Sequence, residues 1–234
     1  MNAIELIDVE KQYGEKEATT YALKNLNLTI KSGEIVVIIG PSGSGKSTLL
    51  NLSGVLDHVS KGTIRINEKN ISDYDDAALT RLRRDLFGFV FQDYALLPNL
   101  TAYQNIELGA KLCNHPMDID DLLETVELKE HRDKFPNQMS GGEQQRVSIA
   151  RALVKKPEVL LCDEPTGSLD EETGKAILSV LQKINSEYKT TIVIVTHNNG
   201  ITQIADRVVR LNSGKIVEIT ENKEKKSAYE IRWV

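Results

Sequence analysis

The feature that most limits what this chain can become is the apolar run Ile35-Val36-Val37-Ile38-Ile39. It runs directly into Gly40-Pro41-Ser42-Gly43-Ser44-Gly45-Lys46-Ser47 and then Thr48-Leu49-Leu50. A strand that is apolar at every position, not at alternate ones, belongs to a sheet covered on both faces. The glycines after it demand a turn, and the pattern from about Gly45 to Leu56 reads as a helix. Buried strand, tight turn and helix together call for an α/β core.

The same eight residues fit G-x-x-x-x-G-K-[ST]. Glycines at Gly40, Gly43 and Gly45 let successive backbone N–H groups converge on phosphate oxygens. The helix that starts there adds the positive end of its dipole. Lys46 reaches the outer phosphates, and the Ser47 hydroxyl is a ligand for Mg²⁺.

Two further apolar runs repeat the theme. Val159 to Cys162 ends in Asp163-Glu164, and Thr191 to Val195 ends in Thr196-His197. Ligands in α/β sheets collect at the carboxyl ends of strands. Asp163 there would hold Mg²⁺, and Glu164 would orient and polarise an attacking water. His197 is placed to hydrogen-bond a γ-phosphate or to fix Glu164 and its water. His58, His115 and His131 top no such strand and read as ordinary surface or core histidines. Cys162 reads as a small core residue.

Around these strands, residues 4–10 and 22–30 alternate as strands, 62–71 as a hairpin, and 73–155 as mostly helix. Residues 170–188 follow as a helix. Asn212-Ser213-Gly214 joins two strands, 207–211 and 215–219. In the tail Ile231 alternates with Trp233, the single tryptophan. That pattern suits an edge strand or a dimer contact, with plain packing as the simpler reading.

Composition closes off other classes. The 234 residues are 40% hydrophobic and 27% charged, which suits a globular chain rather than a disordered or collagen-like one. No apolar run approaches the ~20 residues of a membrane span. The first residues show no secretory leader pattern, and two cysteines make no disulfide framework, so a reducing cytosol is expected. A net charge of −5 argues against a nucleic-acid partner. Arg81-Leu82-Arg83-Arg84 reads as a solvated helix face.

Met139-Ser140-Gly141-Gly142-Glu143-Gln144-Gln145-Arg146 lies upstream of the Asp163 strand and opens a helix. With Tyr13, the 40–47 loop, Gln92, Asp163-Glu164, Ser168-Leu169-Asp170 and His197, in this order, the chain resembles the ATP-binding cassette (ABC) ATPases over residues 2–220. The resemblance implies an α/β P-loop NTPase core with a mostly parallel sheet, an N-terminal antiparallel β layer and an inserted helical subdomain. The expected division is 1–91 with 156–220 as core, 92–155 as helical subdomain and 221–234 as charged tail.

It implies ATP and Mg²⁺ as cofactors and an ATPase with Lys46, Glu164 and His197 in catalysis. Gly40, Ser42, Gly43, Gly45, Lys46, Ser47 and Thr48 would cradle phosphate. Tyr13 would stack on adenine, and Ser47, Gln92 and Asp163 would hold the metal. Ser140 and Gly142 would close on ATP held by a second copy in a head-to-tail dimer, with Asp170 coupling the two sites. Met139 stands where leucine is commoner and Glu143 where glutamine is frequent.

Phe91 to Asn105, Gly54-Val55-Leu56-Asp57 and Pro165 to Asp170 look like the branch serving macrolide export, lipoprotein release and antimicrobial-peptide resistance. Tyr103-Gln104 departs from that branch, in which Glu commonly precedes Asn105. The branch implies a four-span permease with a large extracytoplasmic domain, and a location on the cytoplasmic face of the membrane. Its division-associated relatives offer the alternative of a mechanotransmitter controlling a cell-wall hydrolase.

Overall fold

The computed structural model describes residues 1–14 and 19–233, so residues 15–18 of the expected core and Val234 of the expected tail lie outside the described residues. The chain runs β1 (Asn2–Tyr13), β2 (Thr20–Lys31), β3 (Ile35–Ile39), α1 (Lys46–Ser53), β4 (Lys61–Ile66), β5 (Lys69–Asn70), α2 (Asp76–Leu86) and β6 (Phe87–Val90). It continues with α3 (Ala102–Ala110), α4 (Ile119–Thr125), α5 (Gly141–Leu153), β7 (Val159–Asp163), α6 (Glu171–Tyr188), β8 (Thr191–Thr196), β9 (Arg207–Asn212) and β10 (Lys215–Glu221).

Two sheets result. An antiparallel one has the order β2-β1-β4-β5, and a six-stranded one the order β10-β9-β3-β8-β7-β6. In the second, β9, β3, β8, β7 and β6 are mutually parallel, and only β10 runs antiparallel to its neighbour.

The side-chain alternation of β3 explains its unbroken apolar run. Ile35, Val37 and Ile39 join one core with α3 to α6, while Val36 and Ile38 join the other with α1 and the antiparallel sheet. The same split divides Leu160 from Leu161 and Ile194 from Val195. A sheet sandwiched in this way admits no polar alternation.

The stretch 73–155, read as mostly helix, contains β6 as a fourth apolar parallel strand, paired to β7. The pattern hid it because α2 runs into β6 without an intervening turn residue. Gly88 lets β6 approach closely, since a Cβ there would lie 2.8 Å from Leu160 and 3.0 Å from the Ala152 carbonyl oxygen. The helix after the glycine loop is shorter than the pattern suggested. It ends at Ser53, with Gly54 as C-cap and Val55 at φ +59°.

The tail forms no edge strand. Ser227 caps a single 3₁₀ turn at Ala228–Glu230, Ile231 is buried in the core, and Trp233 covers Gly174 of α6. A Cβ at Gly174 would lie 2.3 Å from the indole. Among the described residues no helix is long and apolar enough to cross a membrane.

Candidate functional site

The three apolar strands that carry the chemistry are adjacent in the sheet, in the order β3-β8-β7, and all point the same way. Their carboxyl ends therefore bring Gly40, His197 and Asp163-Glu164 to one edge. Beneath that edge lies a cleft of about 440 Å³, lined by Thr20 to Ala22, Ser42, Gly43, Gly45 to Thr48, Glu164 and His197.

The glycine loop has the conformation its composition requires. Gly43 and Gly45 sit at φ +74° and +102°, where other residues are strained. Gly45 is the N-cap of α1, so the unpaired N–H groups of the first helical turn border the cleft. Gly40 is needed for another reason: a Cβ there would lie 2.1 Å from the Leu211 carbonyl oxygen. The β9–β10 turn buttresses the loop, because Gly214 N–H donates to the Ser44 carbonyl at 2.9 Å. Lys46 curls over the loop and donates to the carbonyls of Gly40 (2.9 Å) and Pro41 (3.1 Å). That leaves a cation above a ring of backbone donors, which is an anion site.

Ser47 Oγ donates to Asp163 Oδ1 at 3.4 Å. Burial, and then the neighbouring Glu164 charge, push the Asp163 carboxyl above its ordinary range, against the Ser47 bond and Lys46. A hydroxyl and one carboxylate are hard oxygen ligands of the kind Mg²⁺ takes when phosphate and water complete its shell. Gln92 lies beside Asp163 in a neighbouring open pocket shared with Tyr94 and Ser168.

Glu164 carries the most informative geometry. Its backbone is left-handed at φ +47°, a strained conformation of the sort that collects at functional sites. Oε1 meets His197 Nδ1 at 2.9 Å. Oε2 is buried and has no partner among the described residues. A buried carboxylate oxygen without a donor is costly, and a water held against it removes the cost.

Ser140 and Gly142 lie elsewhere. Ser140 caps α5 in a reciprocal box: its Oγ accepts from Glu143 N–H at 3.3 Å, and Glu143 Oε2 accepts from Ser140 N–H at 2.7 Å. His131, read as an ordinary histidine, meets Glu143 Oε1 at 2.7 Å. Burial raises the Glu143 carboxyl, but the Ser140 N–H and His131 outweigh it and hold the group low. None of these residues lines the cleft at the glycine loop. Asp170 caps α6 through Thr173 N–H (3.0 Å) and Thr173 Oγ1 (2.8 Å), which lowers its own pKa.

Tyr13 is half exposed. Its hydroxyl donates to Asp57 Oδ2 at 2.8 Å, and Lys11 Nζ stands 4.9 Å from the ring. Burial, then Asp57, raise the phenol pKa. The cleft wall itself is made by Tyr21, a residue that spacing alone does not mark.

With this geometry in view, a model described as "ABC transporter" matches residues 23–167. The chain belongs to the ABC transporter family.

Among ABC relatives, the chain is 45% identical over 234 residues to a putative ABC transporter ATP-binding protein of Mycoplasma pneumoniae, covering 99% of this chain and 50% of that protein. The chain thus spans about half the length of the Mycoplasma relatives it matches. It is 44% identical to the uncharacterized ABC transporter ATP-binding protein MJ0796 of Methanocaldococcus jannaschii, covering 98% of this chain and all of that one. A dimeric post-hydrolysis structure of MJ0796 bound to ADP and Pi superposes with a TM-score of 0.85 at 42% identity, covering 94% of this chain and 99% of that one. A macrolide export ATP-binding/permease protein, MacB of Rhodospirillum rubrum, is 43% identical over 92% of this chain and 34% of its own length.

Proposed function

We propose that this chain is the ATP-hydrolysing subunit of an ABC exporter. It dimerises around two ATP molecules and couples their hydrolysis to a permease that exports or extracts a drug, peptide or lipoprotein. The observation that carries the reading is Glu164 Oε2, which has no partner among the described residues, in a cleft shared with Lys46 and His197.

In the reaction, the oxygen of a water bonds to the γ-phosphorus. The bond from that phosphorus to the β–γ bridging oxygen breaks, and ADP and phosphate leave. Glu164 Oε2 accepts the water's proton, while His197 holds Oε1 and so fixes the carboxylate. Lys46 exchanges its loop carbonyls for phosphate oxygens, and the glycine-loop N–H groups and Thr48 hold the rest. Bound Mg²⁺, on Ser47, Asp163 and Gln92, would neutralise phosphate charge. Tyr13 stacks on adenine.

Ser140, Gly142 and Asp170 complete the site of a second copy. The dimeric form of the MJ0796 cassette supports that arrangement. The division into a core (1–91, 156–220), a helical subdomain (92–155) and a tail (221–234) puts Ser140 and the phosphate loop on separate units, so that ATP joins them across the dimer.

The permease has four spans and a large extracytoplasmic domain, and it holds the chain on the cytoplasmic face of the membrane. The export names of relatives support transport over mechanotransmission. Co-purification from gently solubilised native membranes tests this reading. A four-span permease with a large outer domain supports it; a six-span importer-type permease, or no membrane protein, contradicts it.

A further inference from the structure

His131 ends a single 3₁₀ turn, Lys129–His131, that packs against α4. Its ring serves one partner. Nε2 meets Glu143 Oε1 at 2.7 Å, and Nδ1 is buried with no partner among the described residues. The two side chains are only 23% and 21% exposed, so water and salt screen the pair in part.

Glu143 has a second commitment. Its other oxygen, Oε2, accepts the Ser140 N–H, while Ser140 Oγ accepts the Glu143 N–H. The Ser140 hydroxyl thereby uses an acceptor lone pair and keeps its proton free to donate. His131 fixes the far oxygen of the carboxylate that shapes the Ser140 turn.

The charge of Glu143 sets up a conflict. A carboxylate in the first turn suits the dipole of α5. Yet the same helix end is what the functional reading offers to the phosphates of an ATP held by a second copy. A bare Glu143 charge there repels them. Imidazole titrates between about pH 5 and 8. Protonated, His131 cancels the Glu143 charge; neutral, with its hydrogen on Nε2, it keeps the same hydrogen bond and leaves a net charge of about −1.

The surrounding charged groups hold their charge in that range. On α4, Asp120 is paired with Arg132 at 2.9 Å and Glu124 with Lys129 at 3.0 Å, and Asp121 adds its charge beside Lys129. Glu130 lies in the turn itself, and Asp133 stands 3.2 Å from Arg132. Lys134 acts on Glu143, and Arg146 follows it one turn along α5. Of these groups, the imidazole is the one that changes charge near neutral pH.

We propose that His131 is a positioning residue for the nucleotide of a second copy: it holds Glu143 against Ser140 and, as imidazolium, removes the charge that opposes the partner's phosphates. Closure of the dimer on ATP therefore strengthens as His131 takes up its proton, and by reciprocity closure draws a proton onto the ring. The inference rests on the functional reading above, since it takes Ser140 to serve a second copy.

Each test variant is made in the Glu164→Gln chain, which should hold ATP without consuming it. Sedimentation measures ATP-driven dimerisation at about pH 6 and about pH 8, and a fluorescent ATP analogue measures binding by the monomer. His131→Arg carries the charge at both pH values and His131→Gln at neither. Protonation of ATP and of His197 is common to all the chains, so ratios between variants isolate His131. A charge at a helix end sets the scale at roughly two- to tenfold in dimer affinity. By that factor His131→Gln should dimerise more weakly than the His131 chain at about pH 6, and His131→Arg more tightly than it at about pH 8. Glu143→Gln removes the charge and retains an oxygen for the Ser140 N–H, so it too should dimerise more tightly at about pH 8. Analogue binding by the monomer should be equal in all of them, which damage to the fold would not allow.

A ratio of the His131 chain to His131→Gln that is the same at both pH values overturns the inference alone. So does a Glu143→Gln chain that dimerises no more tightly at about pH 8, or a loss of monomer binding that matches the loss of dimer. A Glu164→Gln chain that forms no ATP-driven dimer at either pH overturns the functional reading, and this inference with it.

Discussion

Replacing Arg207 with methionine should be among the most destabilising single changes away from the cleft. Arg207 opens β9 and is buried beside Glu34, their side chains 11% and 10% exposed. Nε donates to Glu34 Oε2 at 2.9 Å and Nη2 to Oε1 at 2.6 Å, while Nη2 also reaches the Thr29 carbonyl on β2. One guanidinium thereby ties the antiparallel sheet to the parallel one. Methionine fills much of the volume but leaves the Glu34 carboxylate buried without a counter-ion, with the Lys31 N–H still donating to Oε1 at 2.6 Å; the cost of breaking such a pair is about 3–5 kcal/mol. At about 2–4 °C per kcal/mol for a chain of this size, Tm should fall by roughly 6–20 °C. Thermal unfolding followed by circular dichroism measures the shift, and urea unfolding the free energy. Arg207→Met with Glu34→Leu removes both charges and should recover most of the loss, since no unpaired ion remains. A single variant within about 1 kcal/mol of the parent, as for an exposed pair, would refute this reasoning. So would a double variant less stable than the single one.

Three further outcomes follow from individual contacts. A Cβ at Gly142 would lie 2.2 Å from Thr173 Cγ2, so Gly142→Ala should cost about 1–3 kcal/mol in thermal or urea unfolding; Thr173→Ser, which deletes that methyl and keeps the hydroxyl on Asp170, should restore it. Burial pushes the Asp57 carboxyl up, but Lys11, Tyr13 and the His58 N–H together hold it below the usual carboxylate range. Its stabilisation is therefore complete above about pH 4 and lost as pH falls through the lower folded value. A Tm-against-pH series should show that acid component in the parent and lack it in Asp57→Asn. Lys46→Ala should abolish ATP binding in a filter or fluorescence assay; unchanged affinity would contradict the phosphate-loop role.

How much of this was legible in the sequence follows from the range of the interactions involved. The three strands that end in Gly40, Asp163 and His197 are local patterns, since burial on both faces makes each run apolar by itself. Adjacency in the sheet then assembles the cleft. Strand β6 was not legible because four residues directly after a helix give neither period a full repeat. The wall residue Tyr21 and the Gly214 support of the loop were not legible either. Each depends on a contact between residues far apart in the chain, and nothing in their own neighbourhood marks them. The pairing of His131 with Glu143 belongs to the same group. For Trp233 the alternation with Ile231 left an edge strand, a dimer contact and plain packing open, and plain packing holds: the indole covers a glycine of α6.

We propose that Glu164, held at one oxygen by His197 and without a partner at the other among the described residues, takes the proton of the attacking water. The most direct test is phosphate release from Mg²⁺–ATP by the parent and by Glu164→Gln, with ATP binding measured in parallel. The amide variant should bind ATP as the parent does and lose turnover by about 10²–10⁴-fold. Turnover at the parental rate in a variant that still binds ATP would contradict it.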